Sequence, residues 1–292
     1  MLVVAAAFCS DAGWSPIAKK GITMTSTITI ASASALVARR PRFYFWMAVA
    51  MAATAFIGFV PTFWVPLTQG VPERIVVIAI HALLFFGWTL FLIYQAWLGA
   101  SGNIARHRDV GLIGVSLATA MIIFGTLAAL NAAQRAITAN YAQGGESFMV
   151  VPLAGMLSFA VFVVAALVNL RRSEWHKRLM IAATAVILDA AIARLFITYV
   201  VMGGNVPPFQ GTAGLAGLPG PPPPVAAVLP PALIGLLFIV AGMVYDRRTR
   251  GAVHPAYWWA GGFALAVQLL KIPFSDTALW HGIARWLVSL VS

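Results

Sequence analysis

Charge is what this chain has least of. Only 9% of its 292 residues are Asp, Glu, Lys or Arg, and acidic residues number just 8, where ordinary soluble domains carry roughly a quarter charged residues. With 61% hydrophobic residues, a water-soluble fold is excluded. There is a single cysteine, Cys9, so no intrachain disulfide forms and no paired-cysteine zinc or iron–sulfur spacing can be built. Phosphate-cradling loops are missing too: "GGESF" and "GLPGP" lack the strand, lysine and helix such loops need. Ser101, Ser116 and Ser158 have no adjacent histidine and carboxylate to activate a hydroxyl. These absences argue against nucleotide and hydrolytic chemistry without deciding whether the chain is an enzyme.

Long apolar runs are what the chain does have. A run of about 20 apolar residues crosses the hydrocarbon core as a helix, because backbone polar groups find no water there. Seven segments qualify: 43–67, 75–98, 111–130, 148–170, 179–201, 231–245 and 256–270. The sixth needs the preceding "VAAVL" to reach full length, and a weaker segment, 280–291, suits the membrane interface. The expectation is an all-α polytopic bundle of about seven spans over residues 41–292. Residues 1–40 read as a poorly ordered extension, with Met24 as an alternative start. "MLVVAAAFCS" lacks the basic flank of a signal peptide.

The net charge of +11 is concentrated in short clusters between these runs, which is the pattern of topology rather than of a nucleic-acid footprint. Of the 19 lysines and arginines, Arg74, Arg135, Lys271 and Arg285 fall on one side, Arg194 falls inside a span, and the rest share the opposite side. Basic residues near span ends mark the cytoplasmic face. The N-terminus is therefore expected in the cytoplasm and the protein in the inner membrane, with the bilayer as its first partner. The stretch "RRSEWHKRLM", 171–180, becomes the cytoplasmic turn between spans four and five, with Trp175 in the interfacial belt. The proline- and glycine-rich loop 203–231 falls on the outer side and reads as a spacer.

Three cytoplasmic turns share one layout, a basic cluster followed by a histidine where the next span begins: "RHRDVGLIG" with His107, "WHKRLMIAA" with His176 and "VHPAYWWAG" with His254. Either the histidines are interfacial anchors, or they share one depth and face inward. In the second case three imidazoles suit a metal ion, and two suit haem iron from both faces.

Ionisable side chains inside spans are costly and usually face the bundle interior. His81, Asp189 and Arg194 are the three here. On span two, His81, Phe85, Trp88, Leu92 and Gln95 recur every three or four residues and share a face. Helix rise puts His81 roughly 9 Å and Arg194 roughly 10 Å below the outer ends of their spans, while Asp189 and Arg194 lie about 140° apart around theirs. In one reading Arg194 snorkels outward or bonds carbonyls, and Asp189 is protonated or bonded to a hydroxyl such as Thr126. In the other, His81, Gln95, Asp189 and Arg194 belong to an intramembrane polar pocket in which Arg194 takes an anionic group.

The stretches "HALLFFGWTLFLIYQAWLGASGNIARHRDVG", "EWHKRLMIAATAVILDAAIARL" and "YDRRTRGAVHPAYWW" resemble an uncharacterised family of bacterial multi-spanning membrane proteins, over about residues 41–286. That resemblance implies no activity. A more distant similarity is to the cytochrome b561 type, whose histidines on neighbouring spans ligate haem. It implies haem b held by His107 and His176, with Arg194 near a propionate, while the outer pair lacks a partner for His81 unless His281 folds back. Three functions fit: a haem b electron carrier, a small transporter or proton-coupled carrier using His81, Asp189 and Arg194, and a non-catalytic subunit that binds a membrane protein partner.

Overall fold

The computed structural model describes residues 42–68, 76–201, 203–204 and 221–291. The expected N-terminal extension and most of the proline-rich loop, including 205–220, lie outside the described residues. Among the described residues every regular element is a helix: α1 (Phe43–Gly58), a π-helical turn (Val60–Trp64), α2 (Val65–Thr68), α3 (Val76–Ser101), α4 (Ile104–Thr138), α5 (Ala142–Val168), α6 (Ser173–Ile187), α7 (Asp189–Leu195), a second π-helical turn (Phe196–Val201), a 3-10 turn (Val225–Val228), α8 (Leu229–Arg250), α9 (Pro255–Ser275) and α10 (Ala278–Ser289).

Four continuous helices are long and apolar enough to cross a membrane: α3, α4, α5 and the run Val225–Arg250. Two bent pairs, Phe43–Gly58 with Val60–Thr68 at 44° and Ser173–Ile187 with Asp189–Val201 at 40°, raise the number to six if each is one span. By length and composition this is a multi-pass membrane protein. The seventh expected span falls in α9, which is not in this set; Gln268, Lys271 and the run Tyr257-Trp258-Trp259 lower its hydropathy. The outward residues agree with a lipid-facing surface, since Leu83, Leu112, Val168 and Trp258 are among its exposed large apolar side chains.

The ends of the helices follow local chemistry. The Asn103 side chain accepts a hydrogen bond from the Arg106 backbone N–H at 3.3 Å and starts α4. That start lies seven residues before the expected one at 111, so His107 stands inside the first turns of a helix and not in a loop. Thr277 caps α10 through the Trp280 N–H at 3.2 Å, and α8 stops at Gly251, whose φ of 76° is the left-handed C-terminal conformation that glycine adopts freely.

α6 is the hub: Leu179 and the run 181–186 are buried, and α6 packs on α5, α8 and α9. The run is mostly small, with Ala182, Ala183 and Ala185 all fully buried, which lets neighbouring backbones come close. Trp88 of α3 donates its Nε1–H to Thr184 Oγ1 of α6 at 3.1 Å, a buried tie between two helices. The two bent pairs cross where Gly58 meets Ala191; a Cβ on Gly58 would lie 2.6 Å from the Ala191 carbonyl oxygen. At the far end from the "RRSEWHKRLM" turn, Trp280, Ala284 and Val288 of α10 pack with Leu130, Met149 and Val150 in a smaller apolar cluster.

Candidate functional site

The "RRSEWHKRLM" turn lies at what we call the basic end of the bundle. There His107 in α4 and His176 in α6 stand with ring centroids 6.3 Å apart and planes at 88°. Each is fixed in the same way. His107 Nδ1 lies 3.2 Å from the Gln95 carbonyl oxygen, and His176 Nδ1 lies 3.0 Å from the Ala166 carbonyl oxygen. A carbonyl only accepts, so both neutral rings carry the proton on Nδ1 and leave the Nε2 lone pair uncommitted. Gln95, whose carbonyl takes the first of these bonds, also buries its side-chain Oε1 and Nε2 with no hydrogen-bond partner.

His254 does not join this pair. Its Nδ1 accepts the Ala256 N–H at 3.1 Å as the N-cap of α9, and its ring meets Trp175 edge-on at 5.3 Å. Pro255 supplies the reason: proline at the first helical position makes the preceding residue the cap. Among the described residues no three His, Cys, Asp or Glu side chains form a set able to hold a metal ion. Burial and the nearby charges of Arg178 and Arg250 lower the His254 pKa from its ordinary value.

Next to it, the charges of the "RRSEWHKRLM" turn form a network that ties four helices together. Arg178, 1% exposed, donates its Nε–H to Asp246 Oδ2 of α8 at 2.8 Å and an Nη2–H to Oδ1, while Asp246 is fully buried. Arg178 Nη1 bonds Glu174 Oε2 at 2.7 Å and the Glu174 carbonyl at 2.8 Å. Lys177 and Arg250 also pair with Glu174, and the Arg178 guanidinium lies 5.5 Å from the Tyr257 ring and 6.0 Å from the Tyr44 ring. This geometry is structural glue of the fork-to-carboxylate kind.

Deeper in the bundle, Asp189 Oδ2 accepts a bond from Gln268 Nε2, and Gln268 Oε1 accepts one from Lys271 Nζ. Asp189 therefore pairs with an amide on α9 and not with Thr126. Its Oδ1 has no partner and presses against α8, where only the bare backbone of Gly235 makes room: a Cβ there would lie 2.7 Å from Oδ1. Lys271, expected in an outer loop, is 5% exposed and belongs to this relay.

Arg194 is separate. It is 7% exposed, donates an Nη1–H to the Ala190 carbonyl at 2.6 Å, and sits 4.3 Å over the Phe59 ring. It stands 18 residues beyond His176 on the same bent pair, roughly 27 Å at helical rise, so it is not beside the imidazole pair. His81 stacks on Phe85 at 4.1 Å. At the far end His281 Nδ1 meets Glu146 Oε2 at 2.7 Å, Trp280 Nε1–H bonds the Glu146 carbonyl at 2.8 Å, and Arg285 approaches Glu146 at 3.7 Å. His281 is thus committed to Glu146. No protein-family model, curated protein or solved structure matches this chain.

Proposed function

We propose that this is an inner-membrane protein of about seven spans with its N-terminus in the cytoplasm, which binds haem b between His107 and His176 and carries electrons. The observation that carries the reading is the separation of the two rings. His107 and His176 would hold the iron through Nε2, since each ring has its Nδ1 against a backbone carbonyl. The observed centroid separation is 6.3 Å. The donor set suits haem because porphyrin brings four ligands of its own, so two imidazoles suffice where no third protein ligand stands near among the described residues. When bound, haem iron supplies reversible one-electron chemistry.

The chain's own part is to aim and hold. The Gln95 and Ala166 carbonyls fix the tautomer of each ring, as carbonyls behind ligating histidines do. The bond from Trp88 to Thr184 ties α3, which supports His107, to α6, which carries His176. The basic clusters on this end support its placement on the cytoplasmic face. Arg194, roughly 27 Å away at helical rise, has no part in this centre.

The test is a visible absorption spectrum of protein expressed with ample haem, oxidised and then reduced with dithionite. The proposal expects a stoichiometric, reducible Soret band that is lost in both His107→Ala and His176→Ala. A featureless wild-type spectrum, or bands unchanged in both variants, would overturn it.

A further inference from the structure

We propose that Arg194 anchors a second site, at the far end of the bundle, for one anionic oxygen group: a carboxylate or a phosphate. This inference is independent of haem binding. A guanidinium offers five N–H donors, yet among the described residues that of Arg194 makes one hydrogen bond, to the Ala190 carbonyl, and no ion pair within 4.0 Å. Its Nε is buried without a partner. That bond runs four residues back along α7 and so draws the charge away from the near surface, the reverse of snorkelling. The Phe59 face at 4.3 Å offsets part of the cost of burying the cation, and an anion would supply the rest.

Among the described residues Arg194 has no counter-ion, and unpartnered hydroxyls lie on the two bent pairs. Thr198, one turn beyond Arg194, is fully buried, and Thr62 on the other bent pair is 4% exposed; both hydroxyls lack partners. The His81 ring lies within electrostatic range of Arg194 and its Nδ1 is orphaned as well. Asp189, the nearest acid in sequence, faces about 140° away around the helix and is bonded to Gln268. Thr62 and Thr198 both sit in π-helical turns, a distortion that recurs at functional sites because it turns side chains and backbone out of the regular ladder. Two hydroxyls and a free guanidinium edge form a donor set for a planar or tetrahedral oxyanion.

The same chemistry reaches the site from a lipid headgroup or from a free carboxylate, and the experiment separates the two. Full-length protein is placed in phosphatidylcholine nanodiscs, and its thermal melt is followed while octanoate is titrated in one series and phosphatidylglycerol replaces part of the lipid in another. Wild type is expected to show a saturable rise in melting temperature with at least one probe, and which probe acts identifies the source. Losing a charge-assisted hydrogen bond weakens binding about tenfold or more, so Arg194→Gln should raise the half-saturating concentration by at least that factor. Thr198→Val, which keeps the cation, should raise it several-fold and decides the matter if Arg194→Gln fails to fold. No shift in wild type with either probe, or half-saturation unchanged in the variants, would overturn the proposal.

Discussion

Breaking the Arg178–Asp246 pair should cost this protein much of its stability. Both side chains are buried, at 1% and 0% exposure, and Arg178 binds Asp246 through two N–H groups. The replacement Arg178→Met leaves the Asp246 carboxylate buried, with the His254 backbone N–H at 3.1 Å as its remaining hydrogen bond. An uncompensated buried charge of this sort costs about 3–5 kcal/mol, or roughly 6–20 °C of melting temperature at about 2–4 °C per kcal/mol. Asp246→Leu leaves Arg178 with Glu174 as its remaining carboxylate partner and should cost less than Arg178→Met. The double variant Arg178→Met/Asp246→Leu removes both charges, and its loss should be far smaller than the sum of the singles. Unfolding titrated with SDS and followed by tryptophan fluorescence would give the three values. Single losses below about 1 kcal/mol, or a double loss equal to the sum, would refute the view that this pair is desolvated and coupled.

Gly242→Ala should destabilise by about 1–3 kcal/mol, because the new Cβ would meet Tyr257 Oη at 2.2 Å, while Gly262→Ala, with nothing within 4 Å, should be neutral or stabilising in the same melt. Burial and the charges of Arg178 and Arg250 lower the His254 pKa, so its folded pKa lies below the unfolded value of about 6.5. Its contribution to stability is complete above that pH and is lost as pH falls through the folded pKa; His254→Asn, which keeps a capping side chain, should flatten the stability profile below about pH 6.5, and an unchanged profile would count against it. Glu146→Gln removes the carboxylate that holds His281 and Arg285, and hydrogen exchange along α10 should speed up by about tenfold or more; unchanged exchange would show that apolar packing alone docks this helix.

The spans were legible where an apolar run coincided with a straight helix, as in α3 and α5. The break at Leu188 was not: it falls within a span-length segment that has neither proline nor glycine. The close approaches of Gly58 to Ala191 and of Gly235 to Asp189 lie beside it, on other helices. The start of α4 was missed because its first turns, with Arg106, Arg108 and Asp109, carry no apolar signal. The pairing of His107 with His176 could be read from the shared layout of two turns, and the His-Pro step at 254 held the signal that sets the third apart. The relay from Asp189 to Lys271 had a trace in α9, where Ala260, Ala264, Gln268, Lys271 and Ser275 are buried at steps of three and four. Glu146 and His281 meet across 135 residues, a separation over which local pattern says nothing.

The relay also bears on how the chain enters its membrane. α9 falls short of the apolarity of a self-sufficient span, and it buries an amide and an ammonium whose chain of bonds ends on Asp189 of α7. A polar segment of this kind becomes tolerable in lipid once its partner is already in place. With α9 as the proposed seventh span, biogenesis should run in order, with the first six apolar segments settling and α9 held back until α7 offers its carboxylate. A truncation that removes α7 would strand Lys271, and a chain stalled before residue 255 would leave Asp189 waiting for its partner.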